Sequence, residues 1–484
     1  MKNIGIHTLS FYVPSLYLSI AEIAEARNIT PEKLSNGLGL QKMAIADVGE
    51  DTSTMAANAL LSLIEKNNIN PHEIGRIYLG TESALDAAKP TATYAVGMVE
   101  DHLIPKFGSR CFKNCDVVDL TFACIGGVDA LLNCADWVRA GSNRKAIVLT
   151  SDIAKYDLLS AGEYTQGAGA MALLITENPD LLTLHEEIGV ATKSEPDFFK
   201  PLREVSKKTV LEAVIQELNL EVESDDLLKK LSLLGNTLWN LPSDTIQVHR
   251  ETPVFDGEYS NKCYQDRVRE ALEHYYEQTN EIALDFDKAI CHLPYAYQGR
   301  RMLAEIWFEW ILKTKNQTWI TEIFGEIPPD FEAKKVFSKS LSKHPLYLEF
   351  VKHKIAQSEV ASSEIGNMYT SSIFMALLSM FTVAKVANEN LTNCSIAFLG
   401  YGSGSKSKVF KGTVNENYLE GLKNVGNIFE ALNNRKQISF GTYVSHHKGE
   451  IKTPIANSHG FRLVKIVGEE SHTQLGYRYY QFER

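Results

Sequence analysis

Short apolar runs typical of strands alternate along this chain with longer helical patterns, and this alternation limits the possible folds more than any other feature. Helical patterns lie at 55–65 and 128–138, with apolar residues at helical spacing. Runs that are apolar without a polar face are typical of strands buried in a parallel or mixed sheet. We therefore predict an α/β fold with interleaved strands and helices. The strand-like runs are 76–79, 146–149, 169–175 and 396–399.

The two halves of the chain share a faint pattern, in which a loop opens an apolar helix. The loop is 122–127 in the first half and 366–371 in the second. Each half also has a strand that ends in polar residues, which include Glu82 in the first half and His292 in the second. The pattern suggests two halves of similar architecture.

A stretch between Pro201 and Pro253 differs in texture from the chain around it. Within it an amphipathic segment, 227–231, follows Ser224-Asp225-Asp226, which we expect to cap a helix. The predicted organisation is an N-terminal half over 1–200, an inserted and mainly helical element over 202–252, and a C-terminal half over 253–484.

Charge and cysteine usage exclude several classes of function. The chain has 60 Asp and Glu against 49 Lys and Arg, a formal net charge of −11. A general nucleic-acid binder needs a basic face, so none is expected here. Seven cysteines, an odd number without a recognisable signal peptide, fit reduced thiols in the cytoplasm better than a disulfide framework.

Neither a membrane span nor a metal site is expected from the sequence. The most apolar stretch, 373–384, is too short to cross a bilayer and is predicted to be a buried helix. Cys111 and Cys115 lack a second ligand pair at zinc-binding spacing. His446 and His447 are adjacent, so their side chains point to different faces of either regular structure.

Three residues at element ends have side chains suited to catalysis. Cys124 precedes a helix and is followed by Gly126-Gly127, so the helix N-terminus favours a thiolate and the glycines admit a substrate. Glu82 has the carboxylate of a general base, and His292 the imidazole of an acid or base. Taken singly, an inert buried cysteine, an exposed loop glutamate and a core histidine remain open alternatives.

The motifs around these residues occur in the order found in one family. The chain resembles the 3-hydroxy-3-methylglutaryl-CoA (HMG-CoA) synthases, a branch of the thiolase-like condensing enzymes, from about Ile4 to about Lys408. The matching segments are Gly80-Thr81-Glu82-Ser83-Ala84, Ala123-Cys124-Ile125-Gly126-Gly127, Ser151-Asp152-Ile153-Ala154-Lys155-Tyr156, 162–170, Pro253-Val254-Phe255-Asp256-Gly257, Cys291-His292-Leu293-Pro294-Tyr295, Gly366-Asn367-Met368-Tyr369-Thr370 and Tyr401-Gly402-Ser403-Gly404.

The resemblance implies a five-layered α-β-α-β-α fold and a homodimer. It also implies condensation of acetyl-CoA with acetoacetyl-CoA to HMG-CoA, in the cytoplasmic mevalonate route to isoprenoids, without a metal or redox cofactor. Cys124 would carry the acetyl group, Glu82 would remove a methyl proton, and His292 would polarise the second substrate and supply or take a proton. The residues matched to substrate binding are Tyr156, Thr165, Asn367 and Ser403, with oxyanion-holding amides near Cys124 and Ser403.

Several positions depart from the family pattern. Tyr297 and Arg301 stand where the family usually has two basic residues, Tyr164 replaces a usual proline, and Ala161 stands at an often polar position. Arg301 is expected to bind a CoA phosphate. Arg300 is expected to assist it.

Other interpretations of these positions stay open. One alternative is that both arginines are surface residues paired with Glu305 or Glu309. The departures also leave room for an enzyme whose acyl groups are held on acyl-carrier proteins. A catalytically silent acyl-binding homologue is disfavoured because Glu82, Cys124 and His292 are all present.

Overall fold

The computed structural model describes residues 2–234, 239, 242–248, 251–328, 336–337, 339–457, 459–468, 470–471 and 473–483. The chain divides into two compact units. The main unit comprises Met1–Asp197 and Asp256–Arg484, and the inserted unit comprises Phe198–Phe255.

Strands occur in both units. In chain order the strands are β1 (Ile4–Tyr12), β2 (Leu16–Ser19), β3 (Lys42–Ile45), β4 (Ile74–Gly80), β5 (Asp116–Leu120), β6 (Lys145–Ala154), β7 (Gly167–Glu177), β8 (Leu182–Thr192), β9 (Phe198–Phe199), β10 (Arg203–Ser206), β11 (Thr245–Val248), β12 (Val254–Phe255), β13 (Lys288–Cys291), β14 (Ser395–Gly402), β15 (Lys406–Val414), β16 (Lys436–Gln437), β17 (Gly460–Ile466) and β18 (Arg478–Glu483).

Helices connect and cover these strands. They are α1 (Ile20–Ala26), α2 (Pro31–Leu38), α3 (Thr52–Lys66), α4 (Thr91–Phe107), α5 (Gly126–Arg139), α6 (Lys207–Leu218), α7 (Ser224–Ser232), α8 (Gly257–Thr279), α9 (Gln298–Thr314), α10 (Gln317–Phe324), α11 (Pro345–Lys354), α12 (Ala356–Ile365), α13 (Ser372–Val386), α14 (Tyr418–Gly421), α15 (Ile428–Asn433) and α16 (Phe440–His447). Short 3₁₀ turns include Tyr369–Ser371, directly before α13.

A nine-stranded mixed sheet runs in the order β13-β14-β15-β8-β1-β7-β6-β4-β5. The predicted N-terminal half contributes β1 and β4 to β8, and the predicted C-terminal half contributes β13 to β15. Strand β4 is parallel to both β5 and β6, and β13 is parallel to β14. The halves join where β8 pairs with β15, for example Ala191 with Ser407.

Side chains on β6 show how the layers are arranged. Ile147 and Leu149 belong to a core cluster with residues of α3 and α4, whereas Ala146 and Val148 belong to a cluster with residues of α5. Because alternate strand residues point to opposite faces, α3 and α5 cover opposite faces of this part of the sheet.

The second half repeats this arrangement. On β14, Gly400 faces Val128 of α5, while the next residue, Tyr401, stacks on Tyr264 of α8. Phe374 of α13 lies against Gly127 of α5. Helices α5 and α13 therefore form the middle of five alternating helix and sheet layers, as the sequence predicted.

The predicted helices begin and end near the expected residues. Asp51 caps α3 by accepting from Ser53 and Thr54, and Thr54 completes a capping box. The helix of the apolar stretch is α13, and its residues are almost all buried. Within the described residues, Tyr369–Val386 is the one helical stretch long and apolar enough to span a membrane, and 83% of it is buried inside the protein, as in a core helix.

The inserted unit contains helices α6 and α7 and two antiparallel strand pairs, β10–β11 and β9–β12. The expected cap is displaced by one residue, because Ser224 is the first residue of α7 and Glu223 is its N-cap, without a side-chain bond. Leu233 is 84% exposed and Leu218 is 64% exposed. A unit this small buries little apolar surface of its own.

Candidate active site

Cys124 and Glu82 lie in direct contact. Glu82 lies two residues after the end of β4 at Gly80, and Cys124 lies two residues before the start of α5 at Gly126. The Cys124 thiol donates to Glu82 Oε1 at 2.9 Å. A carboxylate at this distance is placed to take the proton of the thiol, and of any acyl group carried on the sulfur.

The backbone around Cys124 has the features of an activated nucleophile. Ala123 has a φ of 41°, an unusual left-handed conformation for a residue with a side chain. Such strained turns are found at functional sites, where the surrounding packing fixes them. Cys124 lies just before the N-terminus of α5, whose partial positive charge favours a thiolate.

Asp152 positions the end of strand β4. Its Oδ1 accepts from the backbone N–H of Glu82 at 2.9 Å and from the Thr81 hydroxyl at 3.0 Å. Its Oδ2 accepts from the N–H of Thr370 at 3.0 Å and from the Thr370 hydroxyl. One fully buried carboxylate therefore joins the Glu82 segment to the loop before α13, across the two halves.

His292 follows β13 and is 2% exposed. Its N–H donates to Leu399 O at 3.1 Å, and its carbonyl accepts from Tyr264 at 2.7 Å. Nδ1 lies 2.6 Å from Ser372 Oγ. Burial lowers the pKa of His292 to about 3, so the ring is neutral at pH 7. A neutral imidazole can donate or accept a hydrogen bond, and the part of His292 in proton transfer stays a prediction.

Two tyrosines connect His292 with Cys124. Tyr264, whose hydroxyl holds the His292 carbonyl, has its pKa raised by burial and then by Cys291 and Cys124 nearby. Tyr369, whose carbonyl accepts from the Ser372 backbone N–H, has its pKa raised by burial and then by Tyr156, Glu82 and Cys124. Residues from both halves therefore surround the thiol.

The residues matched to substrate binding form a connected wall. Burial raises the pKa of Tyr156, and its hydroxyl lies beside Tyr369 and Asn367. The Asn367 N–H donates to Thr165 O at 2.9 Å, and Asn367 Oδ1 accepts from the Tyr369 N–H at 2.8 Å. The structure thus brings Tyr156, Thr165 and Asn367 together beside Glu82 and Cys124.

Ser403 lies in the turn between β14 and β15, against the Cys124 loop. A Cβ atom on Gly402 would lie 2.5 Å from Phe122 O and 2.9 Å from Ile125 N, so only glycine allows this approach. The N–H of Gly404 donates to the buried Asp197 at 2.7 Å, which fixes the turn. The turn that carries Ser403 therefore packs directly against the loop that carries Cys124.

Comparison with known proteins agrees with this geometry. Residues 1–180 match the hydroxymethylglutaryl-coenzyme A synthase N-terminal family, and residues 245–454 match the C-terminal family of the same enzyme. The chain belongs to the HMG-CoA synthase family. Its fold is thiolase-like, as the sequence motifs implied.

Individual members of the family align along almost the whole chain. The hydroxymethylglutaryl-CoA synthase of Haloferax volcanii is 29% identical over 477 residues, covering 93% of this chain and 94% of that protein. The structure of MvaS in complex with 3-hydroxy-3-methylglutaryl coenzyme A is 25% identical with a TM-score of 0.76, and the alignment covers 100% of both chains. The Curacin pathway HMG synthase in complex with acetyl donor-ACP shares the fold at 18% identity and a TM-score of 0.70, covering 99% of this chain and 100% of that one.

Two of the positions that depart from the HMG-CoA synthase pattern, Tyr297 and Arg301, lie at the start of α9. Tyr297 is the N-cap residue of this helix and packs on Gly39, while the guanidinium of Arg300 lies 3.8 Å from its ring centroid. Arg300 also makes a two-point contact with the buried Glu359, with Nε to Oε1 at 2.8 Å. Arg300 is therefore engaged within the protein and is not positioned as the assistant expected from the sequence.

Arg301 is the exposed member of the pair. Its guanidinium lies 5.7 Å from the centroid of Tyr295. The two glutamates considered as partners for it, Glu305 and Glu309, are instead paired with Arg269, at 3.8 and 2.9 Å. Arg301 therefore remains a candidate contact for a phosphate.

Sequence reasoning did not assign roles to four residues that organise this HMG-CoA synthase site. They are Asp152, Tyr264, Tyr369 and Ser372. Asp152 and Tyr369 stand within segments that resemble those of the HMG-CoA synthases, and this resemblance is the only indication of them in the sequence. Nothing local marks Tyr264 or Ser372, because their importance comes from contacts made by tertiary packing.

Metal binding at His447, Cys111 and Cys115 is not expected from the sequence. His447 Nε2 lies 2.8 Å from the Tyr156 carbonyl oxygen. All seven cysteines are free thiols. In the part of the chain that the structure describes, no group of three or more His, Cys, Asp or Glu side chains is arranged to hold a metal ion.

Proposed function

We propose that this protein condenses acetyl-CoA, acetoacetyl-CoA and water to HMG-CoA and CoA through an acetyl group on Cys124. The observation that carries the proposal is the 2.9 Å contact between the Cys124 thiol and Glu82 Oε1, within an HMG-CoA synthase fold. A thiol paired with a carboxylate supports both acyl transfer and removal of a proton next to the resulting thioester.

The first step forms the acetyl-enzyme. Glu82 takes the thiol proton as Cys124 Sγ attacks the carbonyl carbon of acetyl-CoA. The oxyanion that develops is held by backbone N–H groups of the Cys124 loop and of the turn at Ser403. When the C–S bond to CoA breaks, the CoA thiolate takes the proton from Glu82 and leaves, and Glu82 is again a carboxylate.

The second step forms the carbon–carbon bond. Glu82 removes a proton from the acetyl methyl group, which is acidic because it is part of a thioester. The resulting enolate carbon attacks the ketone carbon of acetoacetyl-CoA. The neutral imidazole of His292 donates a hydrogen bond to the ketone oxygen, and the alkoxide formed there takes the proton held by Glu82. Water then cleaves the thioester to Cys124, which releases HMG-CoA and regenerates the thiol.

The reaction as proposed uses no metal or redox cofactor. Each negative charge that develops is next to a protein donor: backbone N–H groups for the two thioester oxyanions and His292 for the alkoxide. No electrons are transferred between reactants, because every step is a proton transfer or an acyl or aldol-type addition.

We also infer a homodimer in the cytoplasm that serves the mevalonate route to isoprenoids. Strand β5 lies at the edge of the nine-stranded sheet, with half-buried residues Val117 to Leu120. An edge strand of this kind offers backbone hydrogen bonds to a second copy. The seven free thiols support a reducing compartment.

A second candidate keeps the chemistry and changes the carrier. Acyl groups on a carrier protein lack the adenine nucleotide and need fewer basic contacts. Tyr297 in place of a basic residue, together with the engagement of Arg300 by Glu359, favours this candidate. The fold is shared with the Curacin pathway HMG synthase, which was solved with a donor carrier protein.

One assay separates the two candidates. The purified protein is offered acetyl-CoA with acetoacetyl-CoA, and in parallel acetyl and acetoacetyl groups on a phosphopantetheinyl carrier protein. We expect HMG-CoA from the CoA substrates, at a rate well above that with the carrier. Product formed only on the carrier would overturn the proposal in favour of the second candidate.

A further inference from the structure

The Ser372 hydroxyl lies where it controls the protonation pattern of His292. Ser372 is the first residue of α13, and its Oγ lies 2.6 Å from His292 Nδ1. It also lies 3.3 Å from the N–H of Leu293, which donates to it. Both residues are buried, with Ser372 1% and His292 2% exposed, so this contact does not compete with bulk water.

The direction of the hydrogen bond follows from the donors present and from the distances. The Ser372 hydroxyl has one proton and two candidate acceptors, His292 Nδ1 at 2.6 Å and Tyr369 O at 2.9 Å. The Tyr369 carbonyl already accepts from the Ser372 backbone N–H. Ser372 Oγ already accepts from the Leu293 N–H. The Tyr369 carbonyl therefore has a donor without the hydroxyl, and the shorter of the two contacts directs the hydroxyl proton to Nδ1.

We propose that Ser372 is a positioning residue that holds neutral His292 in the tautomer with its proton on Nε2, so that the ring donates to the substrate oxygen. In this tautomer Nδ1 is the acceptor from Ser372, and Nε2–H is the donor. Among the described residues no protein group is hydrogen-bonded to Nε2, which leaves that donor for a ligand. The burial that keeps the imidazole neutral is consistent with this role.

The alternative tautomer would be inactive in the proposed condensation. With the proton on Nδ1, the lone pair of Nε2 would face the ketone oxygen and repel the alkoxide that forms there. The inference deepens the proposed function and rests on it for this consequence. The tautomer itself is independent of turnover and can be measured in the resting enzyme.

The test compares Ser372→Ala and Ser372→Thr with a matched control. Ser379→Ala is the control, because Ser379 lies on the same helix, is fully buried, and bonds Gln357 O at 2.7 Å and Ala361 N at 3.1 Å. Nitrogen NMR of histidine-labelled full-length protein, with His292 assigned by His292→Asn, reads the tautomer directly.

We expect Nε2–H in the wild type, in Ser372→Thr and in Ser379→Ala, and a shift toward the Nδ1–H form in Ser372→Ala. The rate of acetylation of Cys124 should stay within about two-fold in all variants, whereas condensation should fall about 10- to 100-fold in Ser372→Ala alone, a typical effect of losing a hydrogen bond that orients a histidine. A wild-type signal from the Nδ1–H form would overturn the inference, as would an unchanged tautomer in Ser372→Ala. If the tautomer shifts as expected but the wild type makes no HMG product, the proposed function fails while the tautomer assignment stands.

Discussion

A Cβ atom on Gly80 would lie 2.3 Å from the backbone nitrogen of Gly127. The end of strand β4 therefore rests directly on the first turn of α5, with no side chain between them. This approach brings Glu82, two residues after Gly80, to the thiol of Cys124, three residues before Gly127. The contact between Glu82 and Cys124 therefore depends on the close backbone approach of Gly80 to Gly127, which one added methyl group on Gly80 would change.

Gly80→Ala is therefore expected to separate the base from the nucleophile. Overpacking against backbone costs about 1–3 kcal/mol of stability, and the displaced Glu82 should slow both acetylation and condensation. Thermal unfolding and initial rates measure the two effects. Gly97→Ala in α4 is the matched control, since nothing lies within 4 Å of its Cβ position, and it should keep activity with a slight gain in stability. Equal behaviour of the two variants would contradict the packing argument.

Cys124 is expected to be the acetylation site. Incubation of the wild type with acetyl-CoA alone should add one acetyl mass to the peptide that contains Cys124, because its thiol lies 2.9 Å from a carboxylate oxygen of Glu82. Cys124→Ala should show no such addition by peptide mass spectrometry. Cys134→Ala serves as a control, because this buried thiol has its pKa raised to about 12 by burial. Acetylation that persists in Cys124→Ala would refute the assignment.

Glu82 is expected to act after acetylation as well as during it. Glu82→Gln should still acquire the acetyl group, more slowly, but its acetyl methyl should not exchange hydrogen for deuterium in heavy water. Condensation should fall by about 10²–10⁴-fold, the usual contribution of a general base. Mass spectrometry of the acetyl-peptide follows the exchange. Normal exchange or product formation in the variant would remove Glu82 from the mechanism.

Arg301 and Arg300 are expected to differ in what their loss affects. Arg301→Ala should raise the KM for CoA substrates about ten-fold for each 1.4 kcal/mol of phosphate contact, with little change for short pantetheine thioesters. Arg300→Ala should instead destabilise the protein by about 3–5 kcal/mol, since Glu359, 3% exposed, would be left as an unpaired buried charge. Equal effects of Arg301→Ala on both substrate types would exclude a phosphate contact and favour the carrier-protein candidate.

Acid should destabilise the folded protein through His292. Its pKa is about 3 in the folded state against 6.5 for an unperturbed histidine, so between these values the unfolded state binds a proton that the folded state excludes. The free energy of unfolding should therefore fall as the pH drops below about 6.5, by about 1.4 kcal/mol per unit from this residue. Urea unfolding at a series of pH values measures it. The slope should decrease in His292→Asn, and an unchanged slope in that variant would contradict the argument.

The sequence predicted the parts of this protein that depend on local pattern. Apolar runs gave the strands β4, β6, β7 and β14, and the Asp51 cap gave the start of α3, because short-range backbone preferences decide such elements. Family motifs located Cys124 and Glu82. The sequence did not indicate that Ser372 meets His292, eighty residues away, or that Arg300 meets Glu359. These contacts arise from packing between distant segments, which no local pattern records.

The carboxylate of Asp152 has a consequence for the order in which the protein becomes active. A nascent chain with only the first half complete already contains Cys124, Glu82 and Asp152, but not the Thr370 donors that bind the other oxygen of Asp152. Such a chain has the predicted nucleophile and base without the hydrogen bonds that hold the Glu82 segment against the loop before α13. The protein is therefore expected to become active only after Thr370 has been synthesised and has folded against Asp152.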